Sequence, residues 1–183
     1  MSYKILSINP GATSTKVALY EDRAPLIVEA LRHSPEELKA FPETLDQLAY
    51  RRNIVLKFLQ RNNFKVADLS AVVGRGGPFK SLSSGTYRVN QKMISDIKLG
   101  NVQADHVSNL GALIAHELTQ DCDIPAFIVD PVSVDEFSPI ARISGMPELE
   151  RKSLSHALNI KMVARKAATE LGKKYEELNL IIV

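Results

Sequence analysis

The chain has 183 residues, 45% hydrophobic, 24% charged and 6% aromatic, with a net charge of +2 and a pI near 8.6. So mild a balance argues against a dedicated binder of nucleic acid or anionic membrane, and the length suffices for one core, or for one domain with part of another. Cys122 is the only cysteine, which rules out an intrachain disulfide and makes a reducing cytoplasm the default, while no apolar run is long enough for a bilayer and no basic-then-apolar leader opens the sequence.

Residues 4–9 predict a first strand and residues 15–20 a second. Between them, Asn9-Pro10-Gly11-Ala12-Thr13-Ser14-Thr15-Lys16 forms a tight turn of small polar residues. Gly11 is expected to supply a backbone shape that other residues resist. Bare amides, short hydroxyls and the Lys16 ammonium make a place for a phosphate or another anion. It is not the Walker loop, which needs a second Gly directly before the Lys and a helix after it. The same residues also compose an ordinary hairpin turn. Residues 25–33 give a third strand with Leu26, Val28 and Ala30 on one face, so the sheet starts antiparallel.

Ser34-Pro35-Glu36-Glu37 is a helix start, with a Ser cap, Pro at the first position and Glu at the third. Pro42 interrupts that helix. In the longer helix that follows, Leu45, Leu48, Ala49, Val55, Leu56 and Leu59 keep helical spacing, and Arg51, Arg52 and Lys57 read as a solvated face. Residues 69–74 predict a buried strand ending in Gly74-Arg75-Gly76-Gly77-Pro78. An arginine there can reach into a crevice at the strand's end, or be a loop residue whose glycines only turn the chain. Residues 81–88 read as a polar loop. Asn90 caps a helix carrying Met93, Ile94 and Ile97, which Gly100 stops.

His106 opens a helix with Leu110, Leu113, Ile114 and Leu118 on one face, and its imidazole meets either a ligand or only the helix end. Residues 125–129 form the next strand and close in Asp130-Pro131. A carboxylate at that place suits metal or catalytic work, and equally an ordinary turn. Residues 133–145 are irregular. Residues 153–171 predict a helix whose Ala157, Ile160, Ala164, Ala167, Ala168 and Leu171 share a face, with His156 early in it. Residues 178–183 predict a last strand. Three antiparallel strands followed by helix–strand alternation give an α/β class: a mixed sheet with helices packed on it.

Taken together, INPGATSTK, the GRGG after a strand, ADHVSNLGALIA, IPAFIVDP and ARISGMPELERKSLSHALN resemble the acetate kinase family, on its butyrate and branched-chain acid branch. The resemblance covers nearly the whole chain and matches the first half of such an enzyme. It implies the first domain of the fold shared by actin, sugar kinases and heat-shock ATPases, over residues 1–150, with residues 151–183 as a connecting helix and the first strand of a second domain. It implies a cytoplasmic enzyme that transfers phosphate reversibly between ATP and a short-chain carboxylate such as butyrate, with magnesium, and that forms a homodimer at full length. Asn9, Ser14 and Lys16 fall in the family's first phosphate loop, where Ala12 replaces a serine of acetate kinase. His106 matches a substrate-side histidine, Asp130 the aspartate that holds magnesium directly or through water, and His156 the histidine that steadies the transferring phosphoryl group. Arg75 stands a few residues from the cleft arginine of acetate kinase, as its functional substitute. The chain is expected to lack the second phosphate loop and to bind little ATP alone. A non-catalytic domain that keeps the fold is the alternative.

Overall fold

The computed structural model describes residues 2–182. Its centre is one six-stranded sheet in the order β3-β2-β1-β4-β6-β5. β1 (Lys4–Pro10), β2 (Ser14–Glu21) and β3 (Ala24–Arg32) form an antiparallel meander. β4 (Ala71–Arg75) and β6 (Ala126–Val129) extend β1 in parallel, and β5 (Thr86–Arg88) closes the far edge antiparallel to β6. β5 lies inside the stretch expected to be a polar loop. Its three residues carry too short a pattern to register, and pairing with β6 makes the strand.

The helices are α1 (Pro35–Lys39), α2 (Gln47–Arg61), α3 (Gln91–Lys98), α4 (Leu110–Thr119) and α5 (Ala157–Glu170). The capping box forms as its residues predict, with Ser34 accepting from the Glu37 N–H and Glu37 reaching back to the Ser34 N–H. α2 and α4 cover one face of the sheet. Leu6, Ile8, Val17, Leu19, Val72 and Ile128 meet Val55, Phe58, Leu59, Leu110, Leu113 and Ile114 there, all at most 1% exposed. Each such side chain contributes roughly 1.5–3 kcal/mol by leaving water.

Strand periodicity sends the alternate residues to the opposite face. That face carries Asn9, Lys16 and Arg75, which lie at neighbouring register positions near the carboxyl ends of β1 and β4. The parallel strands β1, β4 and β6 thus end together at a crevice, the place where open α/β sheets bind ligands.

Several expectations are corrected. Arg51 does not lie on a solvated face: it is 0% exposed. Its position, three after Leu48 and four before Val55, puts it on the apolar stripe, which Ile54 and Phe58 complete in place of Ala49 and Leu56. Leu26, Val28 and Ala30 face outward on β3, with Val28 68% exposed, while Leu31 points to the core. α5 starts at Ala157 rather than at residue 153, because Ser153 and Ser155 are bonded to Val134 and Val132 instead of entering a helix. Ile160 and Leu171 lie outside its buried stripe, which centres on Ala164 and Ala168. Residues 178–182 are not a strand, since no neighbouring strand pairs with them among the described residues, and Val183 lies outside those residues. Gly11 has no left-handed backbone, a conformation that among the glycines only Gly100 and Gly172 adopt.

Candidate functional site

The loop between β1 and β2 is closed by the Gly11 N–H donating to the Ser14 carbonyl at 2.7 Å. On its open side lies a cavity of about 540 Å³, lined by Asn9, Gly11, Ser14 and Lys16 from the loop and by Arg75, His106 and His156 from elsewhere. Six of the seven predicted site residues therefore share one cavity. The seventh, Asp130, stands behind Arg75 and His156.

The strand ends are held by close backbone approach. A Cβ on Gly74 would lie 2.2 Å from the Gly111 carbonyl oxygen, and one on Gly111 would lie 2.3 Å from the Arg75 carbonyl oxygen. Side chains on Gly76 and Gly77 would meet Pro131 at 2.6 Å and Asn109 Oδ1 at 2.0 Å. The glycines around Arg75 are thus required for contact rather than for turning, and they seat β4 directly on the start of α4.

Arg75 Nη2 lies against both ring nitrogens of His156, 2.6 Å from Nε2. Asp130 Oδ2 is 3.5 Å from His156 Nδ1 and 3.9 Å from Arg75 Nη2. Burial, then the Arg75 charge, lowers the His156 pKa, and the Asp130 carboxylate opposes them. The imidazole is accordingly neutral at pH 7, able to accept at one nitrogen and donate at the other. Asp130 Oδ1 accepts from the Leu158 N–H at 3.1 Å and the Asn159 N–H at 3.4 Å. It thereby caps α5 and places His156, the residue just before that helix. The Asp130 backbone is left-handed, with φ at 52°.

His106 Nδ1 accepts from the Ser108 N–H at 3.2 Å. A backbone donor fixes the tautomer, so a neutral His106 carries its proton on Nε2 and can donate it to a ligand. Asp105, at the rim, accepts from Thr44 Oγ1 at 2.9 Å. Pro78, Val132 and Leu154 add an apolar wall. Sequence reasoning missed that wall, because its residues come from irregular segments without a periodic signal. It also missed Arg51, for which the signal was present: a basic residue at core spacing. Among the described residues no cluster of three or more His, Cys, Asp or Glu forms a metal centre, and no helix is long and apolar enough to cross a membrane.

No family model matches the chain. It is 52% identical over 181 residues to butyrate kinase 1 of Clostridium acetobutylicum, covering 99% of the chain and 51% of that protein. It is 51% identical over 183 residues to a probable butyrate kinase of Clostridium botulinum, covering all of the chain and 51% of that protein. Butyrate kinase 2 of C. acetobutylicum is 49% identical over 182 residues, again with 51% of that protein covered. The chain thus spans about half the length of the curated relatives it matches. Among solved structures, the acetate kinase of Porphyromonas gingivalis superposes with a TM-score of 0.61 at 17% identity, covering 94% of this chain and 50% of its own. A propionate kinase of Francisella tularensis gives 0.58 at 15%, covering 93% and 50%. These likenesses show the fold, which is the actin-like class expected. In sequence the chain resembles the butyrate kinases along its whole length.

Proposed function

We propose that this chain forms the acyl- and phosphoryl-binding half of a short-chain acyl kinase, which transfers phosphate reversibly between ATP and butyrate or a similar carboxylate. The observation that carries the reading is the convergence of Lys16, Arg75, His106 and His156 on one cavity that also has an apolar wall. Cations suit the carboxylate and the phosphoryl group, and the wall of Pro78, Val132 and Leu154 suits a short alkyl chain. In the forward reaction a carboxylate oxygen attacks the γ-phosphorus, the bond from phosphorus to the β,γ-bridging oxygen breaks, and ADP leaves with that electron pair. A carboxylate needs no base to attack. The barrier lies in bringing two anions together and stabilising charge that spreads over the phosphoryl oxygens.

On this reading Arg75 binds the carboxylate or a phosphoryl oxygen, and His156, whose ring lies between Arg75 and Asp130, steadies the moving group. His106 Nε2–H orients the acyl side, and Ser14 and Lys16 hold phosphate oxygens. Asp130 would be magnesium's one protein ligand, through Oδ2: Oδ1 is taken by α5, while Oδ2 faces His156 Nδ1 at 3.5 Å and Arg75 Nη2 at 3.9 Å, so the ion would stand beside the Arg75 guanidinium, and magnesium is commonly held by one or two carboxylates plus substrate phosphates. When bound there, the ion would neutralise phosphate charge. We assign the rest of the nucleotide site to the remainder of a protein of the relatives' length, residues 1–150 to the acyl kinase domain, and residues 151–183 to the connection towards a second.

Hydroxylamine trapping of acyl phosphate, with ATP, magnesium and butyrate, tests the reading in a full-length protein carrying this sequence. Hydroxamate should form, and Arg75→Ala should lower its rate by about 100-fold, the usual cost of one transition-state donor. Absence of hydroxamate, or an undiminished rate in Arg75→Ala, would refute it.

A further inference from the structure

Arg51 belongs to none of the roles above. It lies across β2 from the cavity, on the α2 side, and is fully buried. Among the described residues it has no carboxylate in ion-pair contact. Burying a cation without a counter-charge costs several kcal/mol unless hydrogen bonds and some other charge offset it. Burial draws its pKa down to about 10, which leaves it charged at neutral pH.

Its hydrogen bonds converge on the back of the β1–β2 loop. Nη1 donates to Thr15 Oγ1 at 3.0 Å and to the Ser14 carbonyl at 3.4 Å, and Nη2 donates to the Ala12 carbonyl at 3.4 Å. Gln47 Oε1 holds the fork by accepting from Nε at 3.0 Å and from Nη2 at 2.9 Å. The Thr13 carbonyl is held in turn by the His33 N–H at 2.9 Å. Three successive loop carbonyls are thus fastened, those of Ala12 and Ser14 by Arg51 and that of Thr13 by the residue that follows β3. In a planar trans peptide the N–H points opposite to the C=O. Holding the Ala12 carbonyl towards Arg51 therefore turns the Thr13 N–H away from it, and holding the Thr13 carbonyl towards His33 turns the Ser14 N–H away from β3.

We propose that Arg51 is a positioning residue for the anion loop: its buried fork sets the loop's amides, Ser14 and Lys16 towards the cavity, and its unneutralised charge is answered by the phosphate that binds there. The inference rests on the reading of this loop as a phosphate site, and it adds to that reading a residue that touches no ligand. Acting from behind, Arg51 raises affinity for phosphate oxygens in general and does not distinguish one acyl group from another.

Amide spectra of the 183-residue chain, titrated with inorganic phosphate, test it in two arms. Without phosphate, Arg51→Met should move the Thr13, Ser14 and Lys16 amide signals while those of β4 and β6 stay. With phosphate, Arg51→Met should weaken binding by about tenfold, the loss expected for one charge-assisted interaction. Arg51→Lys, which keeps the charge and loses the fork, should fall between. If Arg51→Met does not fold, Gln47→Ala frees the fork and should shift both readouts in the same direction. Unmoved loop amides, or equal phosphate affinity in wild type and variants, would overturn the proposal. A wild type that binds no phosphate would instead bring down the phosphate reading of the loop, and the role of Arg51 in binding with it, while the first arm still decides whether Arg51 shapes the loop.

Discussion

Substituting Asp130 separates its three duties, because Asn and Ala remove different ones. Asn tolerates the left-handed backbone that Asp130 adopts, and its amide oxygen can still accept from Leu158 and Asn159. Asp130→Asn therefore loses mainly the charge at the start of α5, about 0.3–1 kcal/mol. Asp130→Ala loses the cap, about 1 kcal/mol, and adds left-handed strain of about 1–2 kcal/mol, for a total of about 2–3 kcal/mol. Because the carboxylate raises the His156 pKa against burial and Arg75, both variants should lower that pKa further. Denaturant unfolding reads the first pair of effects, and an NMR titration of His156 reads the second. Equal stability of the Asn and Ala variants would refute the cap, and a His156 pKa that stays or rises would refute the electrostatic triad.

Gly74→Ala should cost about 3 kcal/mol or more, at the upper end of overpacking, because the new Cβ would lie 2.2 Å from a backbone oxygen with no flexible neighbour to yield; an unchanged denaturation midpoint would contradict the contact. His33 is held neutral, its pKa lowered by burial first and by Arg51 second. The unfolded chain thus binds a proton that the folded chain resists, so His33 contributes stability above its ordinary value of 6.5 that is lost as pH falls below it. Melting temperatures should drop between about pH 7 and 5, above most of the carboxylate range, and His33→Gln should flatten that slope.

How much of this was legible in the sequence follows from where the information resides. Strands β1, β2, β4 and β6 announce themselves because period-2 patterning and Gly or Pro boundaries are local properties, and α1 because its capping box lies within four residues. β5 and residues 178–182 escape because a strand exists only through its partner. The site residues Asn9, Lys16, Arg75 and Asp130 stand at element ends, which the patterning locates. The close approach of Gly74 to Gly111 and the reach of Arg51 to Ala12 and Ser14 join segments more than thirty residues apart. No local rule contains those contacts, so the glycines read as turns; the burial of Arg51, by contrast, is written in its place on the apolar stripe of α2, and only its charge makes it read as surface.

The two ends of the cavity are built from unlike materials. Arg75 is fixed by glycine contacts between β4 and α4, which no side chain can enter without parting strand from helix. Pro78, Val132 and Leu154 hang from connecting segments, where substitutions are borne far more readily. Under the proposed function, a lineage carrying this fold would be free to adjust the size of the apolar chain it accepts, residue by residue along that wall. The charged end would stay still throughout, so on that proposal a change of acyl substrate need not reopen the problem of moving phosphate.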